Sequence, residues 1–182
     1  MSAEQYWNRR FKEAAENHAQ QNARIASDFL AQVPLHPKMA AVLRDSRSVL
    51  EFGCGTGEFA AMLAPGRSVT AFDLSEEAIS EARRRHSSTS VVFCVLDATQ
   101  PTRYSADLTV CSNVLEHFTD PWPIVNNMLA ASTHALILVP NEQEVKDGYD
   151  SEGGAGHVYR FSIGEFARYL SKIEDWFLFQ SA

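Results

Sequence analysis

From Ser48 onward the chain alternates short apolar runs with helical segments, and this alternation limits its fold more than any other feature. Strands are predicted at Ser48–Phe52, Ser68–Phe72, Ser90–Leu96, Asp107–Cys111 and His134–Val139. Runs such as Val-Leu-Glu-Phe, Val-Val-Phe-Cys-Val-Leu and Ala-Leu-Ile-Leu-Val are largely apolar at consecutive positions, which suits strands covered on both faces in a parallel sheet. The intervening segments carry helix signals. Ser75 can cap a helix with Glu76 and Glu77 in its first turn and Arg83, Arg84 and Arg85 in its last, an order that complements the helix dipole. Asp120 followed by Pro121 marks another start, and Ser162-x-x-Glu165 has capping-box spacing for a helix running to about Ser171. Trp176–Gln180 reads as a sixth strand. The prediction is an open, doubly wound α/β fold with a mostly parallel sheet.

Ahead of the sheet, Ser2 to about Val33 reads as helix. Ser2 and Gln5 have capping-box spacing, and Trp7, Phe11, Ala14, Ala15 and His18 recur at helical intervals. The polar centre around Gln20–Arg24 leaves open whether this is one helix or two. Pro34 and Pro37 stop it, and Pro37 can open a second helix over His36–Arg44. Residues 1–46 are therefore expected to form a helical cap, and residues 47–182 the sheet, within one structural domain.

Charge and composition narrow the partners. With 16 Lys plus Arg against 23 Asp plus Glu, the net charge of −7 gives no bulk field for nucleic-acid phosphates or anionic lipid. Val91–Leu96 and Ala135–Val139 are too short to span a bilayer, and the start MSAEQYWNRR lacks the order of a signal peptide. Cys54, Cys94 and Cys111 stand in no zinc or disulfide spacing and are read as core or backbone-contact residues. Arg83–Arg85 is read as a solvated helix end. The expectation is a cytoplasmic, reduced protein with no metal, no nucleic-acid partner and no membrane partner.

The densest signal is Glu51-Phe52-Gly53-Cys54-Gly55-Thr56-Gly57, which follows the first strand and precedes a short helix, Glu58–Leu63. In a doubly wound sheet, ligands bind at the carboxyl ends of strands where the strand order reverses. Glycines there permit positive φ and close approach of backbone to a ligand. A dinucleotide fingerprint would read G-x-G-x-x-G, whereas this loop reads G-x-G-x-G. Asp73 closes the second strand, where a carboxylate can accept hydrogen bonds from both hydroxyls of a ribose. Asp97 closes the third and is followed by Ala98, so a carboxylate and an amide there can read the amino edge of an adenine. Either acid alone is equally a helix cap or loop residue. Their coincidence with the glycine loop is what points to a ligand.

These segments, with Ala106–Pro121 (ADLTVCSNVLEHFTDP) and Ala135–Asn141 (ALILVPN), resemble the class I S-adenosylmethionine-dependent methyltransferases in order and spacing across roughly residues 48–170. The resemblance implies a Rossmann-like fold, S-adenosyl-L-methionine as cofactor and S-adenosyl-L-homocysteine as product. It implies that Gly53, Cys54, Gly55 and Gly57 form the cofactor loop, and that Glu51 braces it and attracts the cofactor's ammonium. Asp73 would hold the ribose and Leu74 would pack on the adenine. Asp97 and Ala98 would fix the adenine edge, and Ser112 and Asn113 would line the methionine side. Tyr6, Trp7 and Arg10 sit where many relatives have a helix over the cofactor.

The same resemblance implies methyl transfer to a small-molecule acceptor, with a hydroxyl favoured, and a base to take its proton. Two histidines are candidates. His117, in Leu115-Glu116-His117, follows the fourth strand and is read either as a base or as part of a structural pair with Glu116. Related quinone-pathway enzymes bind a metal through two acids and a histidine here, but Asn113 replaces the first acid. His157 ends a polar, glycine-rich loop, Asn141–Gly156, and is read either as a base or as an anchor for that loop. Tyr159 and Arg160 are further candidates for orienting an acceptor. The rival readings are a nucleotide-cofactor oxidoreductase, disfavoured by the glycine spacing, and a non-catalytic cofactor-binding subunit. Class I relatives usually end with an antiparallel seventh strand beside the fifth, and no such segment precedes Ala182. If the chain ends there by nature, the exposed fifth strand leads to the expectation of a homodimer or of an aggregation-prone protein.

Overall fold

The computed structural model describes residues 2–139 and Phe161. The predicted loop Asn141–Gly156, His157, Tyr159, Arg160, the capping box at Ser162, the strand at Trp176–Gln180 and the question of a seventh strand all lie outside the described residues.

Helix α1 spans Ala3–Gln32 and opens with the predicted capping box: the Ser2 hydroxyl accepts from Gln5 N at 3.2 Å, and Gln5 Oε1 accepts from Ser2 N at 3.0 Å. Its irregularity falls at Ala14 (φ −142°, ψ 29°), not in the polar stretch Gln20–Arg24. Polar side chains do not interrupt a helix ladder, and here Gln21 and Asn22 face a cavity. A 3₁₀ turn, Val33–Leu35, leads into α2, Pro37–Asp45, with proline in the first turn as expected.

The remainder alternates as predicted: β1 Ser48–Phe52, α3 Glu58–Leu63, β2 Ser68–Asp73, α4 Glu76–Arg85, β3 Val92–Val95, β4 Ala106–Ser112, a 3₁₀ turn Leu115–His117, α5 Trp122–Ala131 and β5 Ser132–Leu138. The strands pair in parallel in the order β3-β2-β1-β4-β5. The chain builds outward from β1 through β2 to β3, then crosses back to β4, so the order reverses between β1 and β4.

Besides shifts of a single residue at α2, β2 and β4, three elements depart from the sequence reading. β3 is shorter than Ser90–Leu96 and is not covered on both faces. It is an edge strand, which leaves Val92 and Val95 exposed at 55% and 46%. β5 begins at Ser132 rather than His134, because Ser132 pairs with Ala106 and a backbone ladder does not require apolar side chains. α5 starts at Trp122 with Pro121 as its cap residue, although Asp120 still accepts from Trp122 N at 3.3 Å.

Side chains alternate across the sheet and divide the core in two. Val49, Val69, Leu108 and Val110 meet Phe29 of α1, Leu43 of α2, Phe59 and Leu63 of α3, and Ile79 of α4. Leu50, Phe52, Phe72 and Cys111 meet Ile124, Val125 and Met128 of α5. At the amino ends of β1 and β4, the Asp107 carboxylate accepts from Arg47 N, Ser48 N and the Ser48 hydroxyl at 2.8–2.9 Å. Arg67 donates to the carbonyls of Leu43, Ser46 and Leu63, gathering the ends of α2 and α3.

Of the three arginines predicted to be solvated, Arg83 and Arg84 are exposed, whereas Arg85 is mostly buried. Arg83 donates to the Phe93 carbonyl, and Arg85 bridges Glu81 and Glu16, joining α4 to α1. Among the described residues no helix is long and apolar enough to cross a membrane.

Candidate functional site

A cavity of about 230 Å³ opens at the carboxyl ends of the strands, where the strand order reverses between β1 and β4. Its floor comes from the loops after the strands: Gly53 and Gly55 after β1, Asp73 and Leu74 from β2, Leu96–Ala98 after β3, and Ser112–Val114 after β4. Its roof comes from one face of α1, through Trp7, Phe11, His18, Asn22 and Ile25, with Arg10 and Gln21 beside them.

The glycine loop folds as it does because three of its residues adopt positive φ: Gly53 (73°), Gly55 (52°) and Gly57 (87°). Space matters as well. A Cβ on Gly53 would lie 2.4 Å from Val114 Cγ2, and one on Gly57 would lie 2.7 Å from Phe93 Cε1. A Cβ on Gly55 would lie 3.1 Å from Asn22 Nδ2, close beneath the α1 roof.

Asp73 ties the floor together. One carboxylate oxygen accepts from Gly55 N and the other from Ser75 N, each at 2.9 Å. Burial nevertheless raises its pKa above the ordinary aspartate value, against the opposing pull of those amides. Asp97 accepts from the amide and hydroxyl of Thr99 at 2.9 and 2.7 Å, which turns the chain after β3. The Ala98 carbonyl is held by Asn127 at 2.9 Å. Asn113 takes the left-handed conformation (φ 53°) that asparagine tolerates, and its amide donates to the Leu138 carbonyl at 3.0 Å.

A smaller cavity of about 20 Å³ lies behind the loop, lined by Asn22, Glu51, Gly53, Cys54, Phe59 and Ser112. Glu51 is 3% exposed, and its Oε2 has no hydrogen-bond partner among the described residues. Burial pushes its carboxyl well above the ordinary range, and the negative charges of Glu58 and Asp73 push the same way. The Cys54 and Cys111 thiols are also pushed well up by burial, which keeps both from acting as nucleophiles.

Of the residues singled out from the sequence, Gly53, Gly55, Asp73, Leu74, Asp97, Ala98, Ser112 and Asn113 line the main cavity. Glu51 and Cys54 line the smaller one. Gly57 lines neither, and its missing side chain makes room for Phe93 and Ala82. His117 reaches the cavity rim from the turn after β4, its ring 4.7 Å from that of Trp7 at an interplanar angle of 72°. Glu116 beside it is 1% exposed. His157 lies outside the described residues. The sequence reading did not place His18, Gln21, Asn22 and Ile25 at the site. Their helical spacing with Trp7 and Phe11 was the available signal, and it reads equally well as a core-facing stripe.

Residues 49–133 match a family model described as a methyltransferase domain. The magnesium protoporphyrin IX methyltransferase from Synechocystis PCC 6803, solved with bound S-adenosylhomocysteine, is 17% identical with a TM-score of 0.61, over 88% of this chain and 74% of that one. The methyltransferase domain of bacterial CtHen1-CN is 18% identical with a TM-score of 0.59, over 79% of this chain and 83% of that one. The N-methyltransferase NodS from Bradyrhizobium japonicum WM9, in complex with S-adenosylhomocysteine, is 28% identical with a TM-score of 0.45, over 48% of each chain. The chain thus spans less than half of NodS, and it spans 40% of another solved chain that it matches. No curated protein matches it. Residues 49–133 thus match the methyltransferase-domain family, and the fold is that of the class I S-adenosylmethionine-dependent methyltransferases.

Proposed function

We propose that this chain binds S-adenosyl-L-methionine in the main cavity and transfers its methyl group to a small-molecule acceptor, a hydroxyl being favoured. The observation that carries this reading is the convergence, at the β1/β4 switch point, of the Gly53–Gly55 backbone, Asp73, Leu74, Asp97–Ala98 and Ser112–Asn113.

The residues fit such a cofactor on physical grounds. Glu51 Oε2, beside Gly53 and without a hydrogen-bond partner among the described residues, has room for a donor, and an ammonium group supplies one. Each Asp73 oxygen accepts a single backbone amide in the structure, so a lone pair on each remains for ribose hydroxyls. Leu74 and Ala98 offer apolar surface to a base. Residues 1–46 act as the cap, with α1 roofing the site, and residues 47–182 carry the binding loops.

When bound, the cofactor supplies a methyl already activated by its positive sulfur. The chain's own task is to hold an acceptor in line at about 3 Å and to exclude water, for which the α1 roof is placed. A hydroxyl acceptor would need to give up its proton to a base. His117 is the described candidate for that base, and His157 is the second from the sequence. The protein is proposed to work in the cytoplasm, without metal or nucleic acid. A homodimer remains an expectation that light scattering tests.

Calorimetric titration with S-adenosylmethionine and S-adenosylhomocysteine tests the reading. Micromolar binding lost in Asp73→Ala, with the variant's fold checked by circular dichroism, supports it and opens an acceptor screen. Absence of binding to either ligand sinks it. Binding without transfer to any acceptor favours the non-catalytic subunit.

A further inference from the structure

On the α4 side of the glycine loop lies a polar cluster that touches neither cavity. Thr56, between Gly55 and Gly57, is fully buried, and its hydroxyl donates to Glu58 Oε2 at 2.6 Å. That is the short distance of a hydroxyl bonded to a charged carboxylate. Glu58 opens α3 and is itself buried. Its other oxygen, Oε1, faces His86 Nε2 at 3.7 Å, outside hydrogen-bond reach. His86 Nε2 is buried and has no hydrogen-bond partner among the described residues.

Two polar groups have thus been withdrawn from water and stop just short of each other, an arrangement that costs free energy until they are joined. The His86 side is fixed. Its N–H donates to the Ala82 carbonyl at 3.0 Å, and its carbonyl accepts from the Thr89 amide and hydroxyl at 2.9 and 2.8 Å. The cations beside it on α4 are engaged elsewhere, Arg85 with Glu81 and Glu16 and Arg83 with the Phe93 carbonyl, and β3 presents only the Phe93 ring. The Glu58 side belongs to the loop: Gly55, next to Thr56, gives its amide to Asp73. Glu58 also reaches the loop through its charge, which, after burial, helps to push the Glu51 carboxyl up.

We propose that His86 is a positioning residue of the glycine loop: when a ligand occupies the Gly53–Gly55 backbone, Glu58 Oε1 closes onto His86 Nε2–H, and Thr56 holds the loop through that tie. Closing it draws the Glu58 charge onto the imidazole and away from Glu51, which eases the ionisation of Glu51 toward the cofactor's ammonium. The proposal rests on the cofactor reading above.

The test combines ring-nitrogen NMR of His86 with calorimetric titration by S-adenosylhomocysteine, in wild type, His86→Gln, His86→Phe and Thr56→Val. Saturating wild type should shift the His86 Nε2 signal, as a new hydrogen bond does, and Thr56→Val should lose that shift while still binding the ligand. His86→Gln, whose amide can donate from the place of Nε2, should bind within about 2-fold of wild type, and His86→Phe about 5- to 30-fold more weakly. A His86 signal that stays in place on saturation overturns the proposal, as does a shift that survives in Thr56→Val. Equal weakening in His86→Gln and His86→Phe marks a packing role and overturns it too, and so does unchanged affinity in His86→Phe. Should wild type not bind S-adenosylhomocysteine, the cofactor reading fails and the tie falls with it, whereas binding with a silent His86 signal overturns the tie alone. If His86→Phe does not fold, His86→Leu takes its place, and the NMR comparison of wild type with Thr56→Val decides without either.

Discussion

The Asn8 side-chain oxygen accepts a hydrogen bond from the Ser75 hydroxyl at 2.7 Å, and that same hydroxyl accepts from Ala78 N as the cap of α4. One serine thus starts the helix after the proposed ribose-binding strand and anchors the roof above it. Asn8→Ala removes the acceptor and is expected to cost about 1 kcal/mol in urea denaturation. Hydrogen exchange across the first turns of α1 should rise at the same time. Unchanged exchange there would mean that Glu16 and the apolar contacts hold the roof by themselves.

Glu51 should trade stability for binding. Because burial raises its native pKa, the folded state keeps a proton over a pH range where the unfolded chain has lost it. Its contribution to stability is therefore full below the unfolded carboxyl pKa, and it is lost as pH rises through the raised native value. Glu51→Gln removes that loss. The variant should be more stable than wild type at about pH 8, with the gap closing toward about pH 5, while S-adenosylmethionine binding weakens. Denaturation curves across that range are the check, and a gap independent of pH would contradict the assignment.

Gly57, a cofactor-loop residue on the sequence reading, lines neither cavity and packs against Phe93 and Ala82. Its φ is 87°, and a Cβ at this position would stand only 2.7 Å from Phe93 Cε1, so Gly57→Ala must push β3 or α4. A destabilisation of about 1–3 kcal/mol is expected. Measured where the variant is still folded, cofactor affinity should change less than it does in Asp73→Ala. The opposite ranking would return Gly57 to the binding loop.

Asp107 provides a control far from the site. Its carboxylate receives the Arg47 and Ser48 amides and the Ser48 hydroxyl, and these hold its pKa below the ordinary value. The stabilisation is present above the unfolded aspartate pKa and is lost as pH falls through the depressed native value. Asp107→Ala should lower the melting temperature at neutral pH, lose that penalty in acid, and leave ligand affinity intact. A change in affinity would reveal coupling across the length of the sheet.

Much of this was legible in the chain because the relevant signals are local. The capping box at Ser2, the cap at Ser75, the proline of α2 and the apolar runs of β1 and β4 act through neighbours a few residues away. The same holds for the glycine loop and for the acids at the ends of β2 and β3. Where the reading slipped, a distant partner decided. β3 is short and exposed because nothing pairs with its outer edge among the described residues, and Arg85 is tied down by Glu81 and Glu16.

The alternation of strand and helix, the G-x-G-x-G loop and its companion acids determined the fold class and the floor of the site from sequence alone, since each is a property of a short segment. The tertiary structure decided what covers that floor. Whether Phe11, His18 and Asn22 line a core or a cavity depends on where α1 comes to rest, and helical spacing is the same in either case. The buried Arg10 Nε, without a hydrogen-bond partner among the described residues, follows from the same placement: a side chain's partners are set by what is brought within hydrogen-bond reach, which only the packed chain specifies.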